Sequence, residues 1–258
     1  SNMEDEIRSE LFRLEQEKNI HIINARERGS RMLGASHERS DWDVLFLFAQ
    51  DAANYATIHG HIDSIHEPHL GEDDEIDLHG WNIDKFGGLI RDSNPNAIEY
   101  CREDPKEYIT FHDGGAFDAL ARDARENFNH MALYHHYISM GKRNWKKYID
   151  SGNDRTKGRQ FYVARAIAMA QGIRRGGEMP PLDARELADY EPIDLELRKI
   201  LAKLTEAKRA GHGPQDNPDI TGTFYHEESD ADMDPTDERI NSPDDELIDD
   251  FIRTALVR

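Results

Sequence analysis

The chain has 258 residues, with 52 acidic against 32 basic side chains and a formal net charge of −20. That balance argues against a general nucleic-acid coat protein, which is basic, and one cysteine excludes an internal disulfide and a cysteine-rich zinc site. No apolar run approaches the roughly 18 residues of a membrane span and no signal-peptide core is present, so a reducing cytoplasm is the default expectation.

Ser1-Asn2-Met3 reads as a tag scar ahead of a native Met. Residues 4–19 predict an amphipathic helix with Ile7, Leu11 and Leu14 on one face. Ile20, Ile22, Ile23 and Ala25 predict a buried strand running into Gly29. A short helix is expected over 31–39. WDVLFLFAQ follows, apolar on both faces and hence central in a sheet. Residues 51–60 suit a loop or short helix, 61–65 a strand, and 66–74 a turn around Pro68 and Gly71. Residues 75–79 alternate polar and apolar, as a half-buried strand does. Two helices then meet a break at Ser93-Asn94-Pro95. From about 115 to 172 the pattern is helical, and a further helix runs over 194–211.

Charge is unevenly spread. From His212 to Arg258 fourteen acids face three bases, and four prolines interrupt the stretch. Most of it is expected to be mobile, with a short terminal helix on Leu247, Ile248, Phe251 and Leu256. Between Ile138 and Gly176 the balance reverses, with ten bases against two acids. Such an island suits an anionic ligand, although a solvated helix face is the commoner use of a charge run. Arginine outnumbers lysine, which together with the acidity fits adaptation to high salt.

Residues 29–48, GSRMLGASHERSDWDVLFLF, bear most directly on function. Asp41 and Asp43 project to one side of a strand and Trp42 to the other. Two neighbouring carboxylates repel, and a divalent cation removes the repulsion; magnesium suits all-oxygen sites. Two such ions serve in-line nucleotidyl transfer. Gly29 lets the backbone approach a ligand closely. Ser30 offers a hydroxyl and an amide for phosphate, and Arg31, Arg39 and Ser40 lie nearby in sequence. A third carboxylate on an adjacent strand completes such a site, and by spacing alone either Glu75 or Asp77 qualifies. Singly these motifs are commonplace; their order makes them specific.

That order resembles the signature of the DNA polymerase β-like nucleotidyltransferase superfamily. SRMLGASHERSDWDV, DLHGWNIDKFGGLIRDSNPNAIEY, HHYISMGKRNWKKYI and RQFYVARAIAMAQGI are similar to blocks of one branch. It is the predicted nucleotidyltransferase family of YcgL-like and RNA-ligase-associated proteins, and the likeness spans roughly residues 20–190. The resemblance implies Asp41, Asp43 and Asp77 as metal ligands and catalytic acids, and Gly29 and Ser30 at the triphosphate. It implies Lys142 and Arg143 at triphosphate or acceptor phosphate, with Tyr162 and Arg165 weaker candidates.

The expected architecture is α+β: a palm-like mixed sheet with helices over 4–110, a helical domain over 115–211, and an acidic tail over 212–258. The expected activity is transfer of an NMP from an NTP, with two Mg²⁺ or Mn²⁺ ions, to an acceptor hydroxyl. An RNA 3′ end is the first acceptor considered, and a protein side chain or small molecule the second. A catalytically silent nucleotide sensor or RNA-binding module on the same fold is the alternative. His130, His135 and His136 cluster on a helix, but His135 and His136 are adjacent and share no face and no HExxH is present, so they read as surface or core histidines; Cys101 reads as a small buried thiol.

Overall fold

The first apolar stripe forms the helix that its spacing predicts. In the structure, a computed structural model describing residues 2–151, 157–211, 220–229, 231 and 241–257, α1 spans Met3–Lys18 and buries Ile7, Leu11 and Leu14. Asn2 caps it by accepting from the Glu4 N–H, and Glu4, Asp5 and Glu6 complement its positive end.

Five strands form one mixed sheet in the order β3-β4-β2-β1-β5. They are β1 (His21–Glu27), β2 (Trp42–Ala49), β3 (Ser64–Leu70), β4 (Ile76–Asn82) and β5 (Glu107–Ile109). The doubly apolar β2 is central, antiparallel to β1 and parallel to β4. Val44, Phe46, Phe48, Ile76 and Leu78 share one face with the apolar stripe of α1. The opposite face carries Asp43, Leu45 and Leu47 on β2 and Asp77, His79 and Trp81 on β4.

Several boundaries differ from the sequence pattern. The helix expected over 31–39 is only the four-residue α2 (Gly29–Met32), and Gly34 at φ +67° follows it in the left-handed region. The turn expected over 66–74 begins only after Leu70, because β3 is an edge strand and tolerates Pro68. A register shift between Glu67 and Leu70 absorbs the irregularity. β4 runs on to Asn82, taking three residues that the pattern gave to a helix. The three-residue β5 has too little periodicity to be read.

On the Asp43 face lie α3 (Ile83–Arg91), α4 (Pro95–Tyr100) and α5 (Ala116–Glu126). Asn94 caps α4 and Pro95 takes its first position, as the Asn-Pro break implies. The buried Arg26 side chain ties these helices to β1. Its guanidinium lies 5.0 Å from the Tyr100 ring and 4.7 Å from the Phe117 ring, and Nη1 donates to the Tyr100 carbonyl at 2.6 Å.

The chain divides into two compact units, neither of them one stretch: residues 1–32, 40–127 and 242–258 form the first, and 33–39 with 128–241 the second. The second contains α6 (His130–Asn144), a π-helical turn (Trp145–Asp150), α7 (Lys157–Gly176), α8 (Ala184–Ala188), α9 (Leu195–Arg209) and α10 (Ile220–Ser229).

Two pieces of the acidic tail are ordered helices. In α10, the buried Glu228 accepts from Arg174 Nε at 2.6 Å and from Gln171 Nε2 at 3.0 Å. The terminal α11 (Asp245–Leu256) packs in the first unit on α3 and α5. The expectation of mobility for 212–219 and 232–240 lies outside the described residues. α11 approaches α3 closely because position 87 is glycine: a Cβ there would meet Ile248 at 2.9 Å. Phe251 is fully buried, with ring centroids 5.8 Å from Phe86 and 5.5 Å from Phe117. Phe251→Ala should therefore cost about 3–5 kcal/mol, read as a lower urea midpoint; an unchanged midpoint would mean that α11 adds nothing to the first unit.

Candidate active site

The site lies where β2 and β4 begin. Their parallel register sets Asp43 opposite Asp77. Asp41 immediately precedes β2, two residues from Asp43, and is exposed. The Trp42 N–H donates to the Glu75 carbonyl at 2.7 Å, which fixes this end of the ladder. Further along the same face, Trp81 stacks on Phe86 of α3 at 6.2 Å, so the acids occupy the end that α3 leaves clear.

The Gly-Ser pair abuts this end. The Arg28 N–H donates to the Asp43 carbonyl at 2.9 Å, and the chain then turns at Gly29, φ +70°. A Cβ at position 29 would overlap the Asp43 carboxylate. Ser30 is buried behind it. With four residues α2 has little dipole to offer an anion; what the turn offers is backbone N–H groups and a hydroxyl.

Arg31 and Ser40 have structural employment. The Arg31 guanidinium lies 3.6 Å above the Trp42 ring. Its Nη2 donates to the Ser40 carbonyl at 2.7 Å and its Nε to the Asp41 carbonyl at 3.3 Å. Arg31 thus clamps the segment that delivers Asp41 to the strand, and Ser40 is a buried member of that clamp. The clamp orders the loop without requiring a phosphate.

Three residues escaped sequence reasoning. His66 Nε2 lies 2.9 Å from Asp77 Oδ1. His79 faces His66 in register, with ring centroids 5.4 Å apart. Burial and then the nearby Arg28 charge push the His79 imidazole down to about 4, so it is a neutral ring. The Arg28 side chain makes no hydrogen bond or ion pair among the described residues. Strand alternation on β1 and β4 could have placed Arg28 and His79 on the acid face; His66 needed the register of β3.

Carboxylate oxygens suit a hard divalent cation in kind, and the strand register already sets two of them side by side. Among the described residues, however, no three His, Cys, Asp or Glu side chains are gathered so as to hold a metal ion. Asp77 is turned to His66. In kind the residues fit a divalent cation, and the bond to His66 uses only one of the two Asp77 carboxylate oxygens.

The remaining candidates lie in the second unit or in the core. Lys142 and Arg143 are exposed in the last turn of α6. Arg39 belongs to the second unit. Lys208 lies 5.4 Å from the Tyr162 ring, and Arg165 is buried. His130 is a structural histidine, 2.8 Å from the Gly177 carbonyl and 4.4 Å from the Phe128 ring. Cys101 is fully buried, which pushes its thiol up to about 12 and removes it as a nucleophile. Among the described residues no helix is long and apolar enough to cross a membrane.

Comparison with known proteins bears on what such a site does. The chain is 34% identical over 209 residues to the uncharacterized protein YcgL of Bacillus subtilis, covering 81% of this chain and 78% of that one. A nucleotidyltransferase-like protein from Exiguobacterium sibiricum aligns over 99% of this chain and 90% of its own, at 14% identity and a TM-score of 0.33. The model of the RNA repair pathway DNA polymerase beta family matches residues 3–254. The chain belongs to that family.

Proposed function

We propose that the protein is a metal-dependent nucleotidyltransferase that moves an NMP from an NTP to an acceptor hydroxyl and releases pyrophosphate. The observation that carries the reading is the placement of Asp43 opposite Asp77 on parallel strands, with Asp41 two residues from Asp43 and the Gly29 turn against its carboxylate. Family membership supports the class of chemistry.

On this reading Asp41, Asp43 and Asp77 hold the divalent ions, Mg²⁺ or Mn²⁺. Such ions neutralise charge on phosphoryl oxygens and lower the pKa of an acceptor hydroxyl. The backbone and hydroxyl at Gly29-Ser30 seat the triphosphate. Arg28 supplies the local cation, since Arg31 is engaged with the Ser40 and Asp41 carbonyls. Asp77 faces the acceptor hydroxyl and favours its deprotonated form. Lys142 and Arg143 bind phosphate of the NTP or of the acceptor. No covalent protein intermediate is needed, and catalysis rests on positioning and charge neutralisation. The proposed acceptor is an RNA 3′ end, which the RNA-repair name of the family favours.

The test is transfer of label from each α-labelled NTP, with magnesium or manganese, onto a mixed RNA pool and onto the protein itself. Label on RNA that falls at least about a hundredfold in Asp43→Asn and Asp77→Asn supports the reading. Label on the protein moves the acceptor to a side chain. RNA binding with no transfer under either metal, unchanged in both variants, points to the silent module. Gly29→Ala supplies a geometric check. A left-handed φ and the overlap with Asp43 should cost about 1–3 kcal/mol and abolish transfer. Full activity in that variant would remove Asp43 from the reacting centre.

A further inference from the structure

The third acid is held by a residue outside the motif. His66 stands on β3, the edge strand beside β4, and its Nε2 lies 2.9 Å from Asp77 Oδ1. An ionised carboxylate only accepts, so Nε2 carries the hydrogen and donates. An exposed histidine–carboxylate pair alone would do little. Here the ring is not loose. It lies 5.4 Å from His79 at a 32° tilt. His79 meets the edge of Trp81 at 6.2 Å, and Trp81 stacks on the buried Phe86 at 6.2 Å. A row of rings therefore runs from the core to Asp77.

We infer that His66 is the positioning residue of Asp77: its Nε2–H fixes one carboxylate oxygen and leaves the other for a divalent cation. This rests on the proposed role of Asp77. Partners of this kind, hydrogen-bonded to a metal-binding carboxylate, tune its affinity. Two substitutions separate the donor from the ring. His66→Phe keeps the stack and loses the donor. His66→Gln places an amide N–H near the position of Nε2 and loses the stack.

The experiment titrates Mn²⁺ alone into the full chain, reads free ion by electron paramagnetic resonance, and records melting curves in parallel. His66→Phe should weaken Mn²⁺ binding about tenfold with little change in melting, and His66→Gln should restore most of it. Asp77→Asn should weaken binding at least as much. Wild-type Mn²⁺ affinity in His66→Phe, with loss in Asp77→Asn, would overturn the role of His66 and leave that of Asp77. Unchanged affinity in Asp77→Asn would overturn both. Equal losses in the two His66 variants, accompanied by lower melting, would reduce His66 to a structural contact.

Discussion

Two carboxylates opposite each other on neighbouring parallel strands repel, and the rest of this sheet end is arranged around that repulsion. Adjacent strands lie about 4.8 Å apart, so the unscreened cost is on the order of a few kcal/mol at a protein surface. The structure meets part of it locally. His66 donates to the Asp77 carboxylate. Arg28, just after β1, adds a positive charge that has no ion-pair partner among the described residues.

Holding that arrangement needs a stiff sheet. The face away from the acids is covered by α1, whose three buried side chains join Val44, Phe46 and Phe48. On the acid face, Arg26 fastens α4 and α5 to β1 through two rings and the Tyr100 carbonyl. Phe251 of α11 closes the same aromatic cluster through Phe86 and Phe117. The last helix of the chain therefore braces α3, whose Phe86 bears on Trp81 of β4. Packing far from Asp77 in sequence thus sets how firmly its strand is held.

Much of this was legible in the sequence for identifiable reasons. The Ile7, Leu11 and Leu14 stripe has helical spacing, and a doubly apolar WDVLFLFA requires a central strand. Strand alternation is local, so it set Asp41 with Asp43 and Glu75 with Asp77; the choice of Asp77 over Glu75 came from the family resemblance. What stayed hidden depends on contacts between distant segments. Arg31 looked like a phosphate ligand from its neighbours, yet Trp42 lies eleven residues away and captures its guanidinium. His66 sits in a segment with a proline and a glycine, and that punctuation hid an edge strand. Composition made all of the tail but its last helix look mobile, but Glu228 is buried against Arg174 and Gln171. Net charge says little about which single acid finds a partner.

The charge pattern also constrains how a polyanion could approach. In a chain of net charge −20 six of the ten described arginines of the first unit are committed: Arg8, Arg13, Arg26, Arg91, Arg125 and Arg253 each face an acid. Lys142, Arg143 and Lys146 are exposed and make no such pair among the described residues. At physiological ionic strength fields decay over about 8 Å. Beyond that distance the acidic surface is muted, and the cations that an anionic ligand touches dominate its binding. Salt therefore acts in two directions on such a protein. It weakens each contact to a phosphate, and it also screens the repulsion that keeps a nucleic acid away. Binding of an anionic ligand is then governed by the cations that it touches, and Lys142 and Arg143 stand exposed together in the last turn of α6.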